Sequence, residues 1–379
     1  MDKLRIPNLD NRSFYVFGAG DIGRGLYVTL SKFDMFAGFI DNSGEKQISG
    51  FCGEIVHSYE WYLENAKEET IIIAANSAHE QEISRQLKQD NCTYYYSEGF
   101  LNRIFPLYMF YKKNLLFMNL AQICVTERCT LKCADCAHAC YAVDRNTEDM
   151  RLEDVYNSAD LFFSKVDYIH EFVLIGGEPL LYADLEYAVR YIGDKYRDKI
   201  GTFSITTNGT ILPGRELLDS CQKYGVLVRI SNYTRSIPAL HDQYEKLEKL
   251  LAGAGVLYNM GKEDEEWWDY GFANYIDEGE EKEIIRKFDL CATPCRETRN
   301  GRLYFCVMAR TVSDNLGYHI GEEDFLDLTS LPEGDLGRKL LLEFNMGYSE
   351  KGYLSMCRRC HGSNSKNYVV PAARQRERN

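Results

Sequence analysis

No run of about 18 apolar residues occurs in the chain, so no segment is expected to cross a bilayer as a helix. No secretory leader is expected either: the start, MDKLRIPNLDNRSF, lacks a basic end followed by an apolar core and a small-residue cleavage site. Nor does any stretch interleave Lys and Arg with aromatics, and the net charge is −13. Nucleic acid is therefore not an expected partner, because its binding draws mostly on phosphate neutralisation. No repeat of fixed period and no low-complexity tract is present. Cysteine, by contrast, is plentiful, with 13 copies, an odd number. In 379 residues, enough for a full hydrophobic core, thiols are not needed as staples. They are expected to stay reduced in the cytoplasm, and metal ligation becomes the leading use for those that cluster.

The first hundred residues alternate strand and helix signals. SFYVFG reads as a buried strand, GAGDIGRGLYVTLSKF as a glycine turn feeding a helix, MFAGFIDN, ETIIIAAN and CTYYYSE as further strands. This rhythm predicts a small parallel α/β sheet over residues 1–103. Gly18, Gly20 and Gly23 satisfy G-x-G-x-x-G after the first strand, and Asp41 closes the second at the distance expected of a ribose-binding carboxylate. Backbone N–H groups at a helix start suit a phosphate. A nucleotide or nucleotide sugar is the expected ligand, with docking or homodimerisation as the other use of such a module. No Tyr-x3-Lys pair follows, which disfavours hydride transfer.

After a hydrophobic connector the alternation resumes across residues 112–262, predicting most of a βα barrel. The stretch CTLKCADCAHAC opens it, with Cys129, Cys133, Cys136 and Cys140 in twelve residues. Cys129 follows the first strand of this series, GGEP (Gly176–Pro179) the second, TNGT (Thr207–Thr210) the third and SNY (Ser231–Tyr233) the fourth. Polar and thiolate motifs thus collect at the carboxyl ends of consecutive strands, the active face of a barrel. A structural zinc site gives no reason for that convergence. Further on, Cys291, Cys295, Cys306, Cys357 and Cys360 form a second set, five candidates for four places, with zinc and an iron–sulfur cluster both open. Cys52, Cys92, Cys124 and Cys221 sit in or beside apolar runs and read as packing. His138 reads as a loop residue, the acidic KEDEEWWDY as a solvated loop with Trp267 and Trp268 packed on the barrel edge, and PAARQRERN as a frayed tail.

The span from Leu116 to Met260 resembles the radical S-adenosylmethionine (SAM) enzymes: Cys129, Cys133 and Cys136 match Cys-x3-Cys-x2-Cys, and GGEP matches the glycine-rich motif after the second strand. One departure is Asp135, where the family usually has an aromatic residue. The resemblance implies a partial (β/α)6 TIM barrel. It also implies a [4Fe-4S] cluster on those three cysteines, whose open iron chelates SAM for cleavage to a 5′-deoxyadenosyl radical. Gly176 and Gly177 would let the backbone approach the methionine part of SAM, Glu178 would receive its ammonium, and Asn208 and Ser231 would contact its ribose. Residues 285–365 resemble the SPASM or twitch extension, in its shorter twitch form, which holds an auxiliary [4Fe-4S] cluster. Residues 1–103 resemble the Rossmann-like modules of nucleotide-sugar enzymes. A small-molecule substrate and an electron donor such as flavodoxin or ferredoxin follow from the resemblance, with peptide modification as the variant reading and a non-catalytic scaffold as the other class.

Overall fold

The computed structural model describes residues 7–272, 274–291, 293, 295–363 and 368–376. The first six residues of the expected 1–103 span, positions 292, 294, 364 and 365 of the 285–365 span and the last three of the tail lie outside them. The chain divides into two compact units, residues 1–119 with Tyr168–His170, and 120–167 with 171–379.

In the first unit, β1 (Phe14–Phe17), β2 (Phe36–Ile40), β3 (Val56–His57), β4 (Thr70–Ile73) and β5 (Tyr94–Tyr96) form a sheet of order β3-β2-β1-β4-β5. Every neighbouring pair is parallel. The runs FYVF and TIII are apolar on both faces because helices cover both, the burial expected of parallel strands. The expected edge at residue 103 cuts through this core. The helix Phe105–Lys113 contributes Phe105, Tyr108 and Met109, and Phe117 packs beside them, all 0–1% exposed. The connector is thus part of the unit, because its aromatics have no other cover.

The second unit is built on one sheet: β6 (Phe117–Thr126), β7 (Tyr168–Gly176), β8 (Ile200–Thr207), β9 (Leu227–Ile230) and β10 (Tyr258–Met260). β11 (Glu266–Trp268) lies outside it, and β12 (Arg296–Arg299), β13 (Arg302–Tyr304) and β14 (Phe325–Asp327) extend it, giving β10-β9-β8-β7-β6-β12-β13-β14. β8, β9 and β10 are parallel, and β12 runs parallel to β6. The barrel-like part therefore has five sequential βα strands. Among the described residues no sixth strand follows β10; β12 joins the opposite edge, beside β6, and turns back through Asn300 and Gly301, both at positive φ, into an antiparallel β12-β13-β14 ribbon. The residues around the second cysteine set consequently continue the barrel sheet and do not separate as a third unit. β15 (Val369–Pro371) pairs antiparallel with β11, so the acidic stretch is not a free loop: Trp267 lies opposite Val370 and Trp268 opposite Val369. Among the described residues no helix is long and apolar enough to cross a membrane.

Candidate active site

The carboxyl end of β6 is held by its neighbours before the first cysteine appears. Arg128 donates from Nε and Nη2 to Asp149, at 2.9 and 2.5 Å, and Thr126 Oγ1 donates to the same carboxylate at 2.5 Å. The end of β7 runs on against it, with Gly177 N–H donating to Thr126 O and Glu178 N–H to Arg128 O. This explains the two glycines. A Cβ on Gly176 would lie 2.6 Å from Thr126 O, and one on Gly177 2.4 Å from Arg128 O. Their bareness is required by strand-end packing, whatever binds beyond it.

Glu178 departs from its expected role. It is fully buried and its carboxylate is consumed within the protein: Oε1 accepts from Leu180 N–H and Thr207 Oγ1, Oε2 from Asn208 N–H. Burial raises its pKa, against those donors. It ties the β7 turn to the end of β8 and does not line the cavity described next. Asn208 does face inward, donating Nδ2 to Thr130 Oγ1 at 3.1 Å and to Cys129 Sγ at 3.5 Å.

A cavity of about 330 Å³ opens above these strand ends. Cys136, Gly176, Gly177, Asn208 and Ser231 line it, with Trp267 on a further wall. Sequence reasoning missed Thr206, Glu265 and Tyr270 among its lining, and His138, read as a loop residue, lines it with an Nδ1 that meets no protein partner. Trp267 packs edge-on to Tyr233 at 5.4 Å, so the tryptophan expected at the barrel edge is a cavity wall. A heptad or βα pattern marks long elements; these residues come from short segments that meet only in the fold.

The three cysteines of the first motif are all offered N–H donors. Cys129 Sγ accepts from Leu131 N–H at 3.4 Å, Cys133 Sγ from Gln375 Nε2 at 3.2 Å, and Cys136 from the backbone of His138, Ala139 and Cys140. Burial pushes the free thiols of Cys129 and Cys133 up to about 11 and about 12, whereas the Cys140 thiol beside Cys136 brings the latter down to about 7. A metal deprotonates such thiols outright, and N–H donors are what a ligating thiolate needs around it. The donor set therefore fits an iron–sulfur cluster. Cys140 serves here as a donor to Cys136 and is buried.

In the second set, Cys291, Cys306, Cys357 and Cys360 line one small apolar cavity of about 30 Å³, and Cys295 does not. Cys306 is the N-cap residue of the helix Val307–Leu316, and its carbonyl accepts from Ala309 N–H at 3.0 Å. Cys360 Sγ accepts from Gly362 N–H at 3.2 Å. Among the described residues no three Cys, His, Asp or Glu side chains group closely enough for a single ion. Cys92, Cys124 and Cys221 are buried and Cys52 half-buried.

In the first unit, Gly18 has φ +123° and a Cβ there would lie 2.3 Å from Ala74 O; a Cβ on Gly23 would lie 2.0 Å from Gly18 O. Both glycines are demanded by packing, while Gly20 meets nothing within 4 Å. The Asp41 carboxylate, expected to face a ribose, is spent on the turn itself. It accepts from Ala19 N–H at 2.8 Å, Ser43 N–H at 2.9 Å and Lys46 Nζ at 3.0 Å. Burial works against its ionisation, but these donors prevail and lower its pKa.

Residues 123–249 match the family model of the Radical SAM superfamily. The chain is 34% identical over 106 residues to a probable GTP 3′,8-cyclase of Halobacterium salinarum, covering 26% of this chain and 28% of that protein. It thus spans less than a third of the curated relatives it matches. Among solved structures it is similar to SuiB of Streptococcus suis bound to S-adenosylmethionine, at 19% identity and a TM-score of 0.31, over 57% of this chain and 49% of that one. It is also similar to BtrN in complex with AdoMet and 2-DOIA, at 16% identity and a TM-score of 0.35, over 67% and 98%. Neither likeness is close enough to bear on substrate. The class is defined by the domain: residues 123–249 are a radical SAM domain, and its superfamily is one of enzymes. Such a domain implies a [4Fe-4S] cluster and SAM.

Proposed function

We propose that the second unit is a radical SAM oxidoreductase or isomerase, with Cys129, Cys133 and Cys136 as cluster ligands and the 330 Å³ cavity as the SAM site. The observation that carries this reading is that one cavity brings together Cys136, the ends of β7 and β8, and Ser231 after β9. The bound cluster and SAM supply a 5′-deoxyadenosyl radical that abstracts hydrogen from the substrate. The chain's own residues bind, orient and shield. Asn208 and Ser231 offer polar groups to the ribose, Gly176 and Gly177 present their backbone, and Trp267 and Tyr233 keep water out. Glu178 holds the β7 and β8 ends in register.

Cys291, Cys306, Cys357 and Cys360 are the set we assign to an auxiliary [4Fe-4S] cluster, because they share one cavity. The substrate we favour is a carbohydrate or nucleotide-linked small molecule. The parallel sheet β3-β2-β1-β4-β5 of the first unit supports this, since it is not a winged-helix peptide reader. A phosphate would sit at the open face of Gly20, with no ribose contact from Asp41. Electrons would come from a flavodoxin or ferredoxin.

The test is anaerobic reconstitution of the wild-type chain and of a variant with Cys129, Cys133 and Cys136 all replaced by Ala. Wild-type protein is expected to hold about eight irons for two four-iron clusters. The variant should lose about half of them and all production of 5′-deoxyadenosine. Unchanged iron in the variant would overturn the assignment.

A further inference from the structure

The residues after β15 carry contacts that the radical SAM domain, ending at residue 249, does not account for. Composition marks them as a frayed polar tail, yet Ala372 and Ala373 are 5% and 0% exposed. From there the chain runs antiparallel along the cysteine loop. Ala134 N–H donates to Arg374 O at 2.7 Å, and Arg376 N–H to Lys132 O at 2.9 Å. Arg374 forks onto the Asp135 carboxylate, with both contacts at 3.2 Å. Asp135, the departure from the family's aromatic residue, is thereby explained as an anchor for this segment.

Between those contacts lies a bridge from Cys133 to Gln375. The Gln375 amide is fixed from both ends. Its Oε1 accepts from Lys132 N–H at 3.1 Å, and its Nε2 donates to Ala373 O at 2.8 Å and to Cys133 Sγ at 3.2 Å. Turning the amide over would set N–H against N–H at Lys132 and oxygen against oxygen at Ala373, so the group facing the sulfur is a donor.

We propose that Gln375 is a positioning residue of the first cluster: its amide N–H holds the Cys133 sulfur in place and raises the cluster's reduction potential. The physical reason is charge. Reduction adds an electron that spreads onto the ligand sulfurs, and a hydrogen bond to a sulfur stabilises the reduced form more than the oxidised one. This inference rests on the reading of Cys133 as a ligand. It makes the C-terminal segment part of the reaction centre.

The test is a redox titration of the first cluster, followed by electron paramagnetic resonance, in full-length protein with Gln375→Leu and Gln375→Lys. The leucine variant should have a lower potential and lose first-cluster iron to a chelator about tenfold faster. The lysine variant, with a donor and a positive charge, should have a higher potential. Shifts of opposite sign are not what a merely structural role gives. Potentials equal to wild type, or moving the same way in both variants, would overturn the proposal; should the leucine variant load no cluster, an unmoved lysine variant still overturns it. A wild-type chain with no first cluster, or one that Cys133→Ala retains, would instead sink the ligand set. A cluster lost in Cys133→Ala but indifferent to residue 375 would sink this inference alone.

Discussion

Arg310 is where buried charge converges. It is 2% exposed, pairs with Glu127 at 2.5 Å just before the first cysteine motif, and touches Glu297 on β12 at 2.5 Å. The Glu297 contact is an ion pair without hydrogen-bond alignment, and both Glu297 oxygens otherwise lack partners. Burial pushes Glu297 up to about 7, against the pull of Arg310. Arg310→Met should therefore leave Glu297 buried without its cation and Glu127 with only the longer contact to Arg299 at 3.4 Å, and cost about 3–5 kcal/mol, read as a lowered urea midpoint; a loss under about 1 kcal/mol would contradict the network. Cys295 makes the complementary case. It lies off the cavity that its four neighbours share, so Cys295→Ser should keep wild-type iron, and loss of the second cluster would reassign the set. The position of the site motifs at strand ends was legible in the sequence, but the partners of their residues were not. Gly176, Gly177, Glu178 and Asp41 fall where motifs place them, yet each turns to a partner that spacing cannot reveal. Thr207 lies 29 residues from Glu178, and Ala19 lies 22 from Asp41.

At the scale of elements, long apolar strands and amphipathic helices were readable because their period is written in each segment. Short ones were not. β11 is three residues of an acidic run, and its partner β15 lies about a hundred positions away; neither has a pattern of its own until the two pair. The connector helix Phe105–Lys113 misled for the opposite reason, since its apolar residues say that it is buried but not in which unit. Ending the first unit at residue 103 removes Phe105, Tyr108, Met109 and Phe117 from its core. At about 1.5–3 kcal/mol for each, the loss rivals the whole stability of a domain. A fragment ending at 103 should show no cooperative melt, whereas one ending at 119 should melt cooperatively; equal melts would contradict the boundary.

For the whole molecule, the decisive feature is a single sheet in which β12 lies directly beside β6. β6 leads into the first cysteine motif, and β12 and β13 lead to Cys306, so one continuous scaffold carries both thiol sets. That continuity rests on pairings distant in sequence, whereas the alternation that predicted the barrel is local. The central claim is that three thiolates leave one iron of the first cluster open to SAM. Mössbauer spectroscopy of the reconstituted protein, labelled with iron-57, tests it directly. The account predicts that adding SAM shifts the signal of one iron in the first cluster. A spectrum unchanged by SAM, with all four irons already alike, would contradict it.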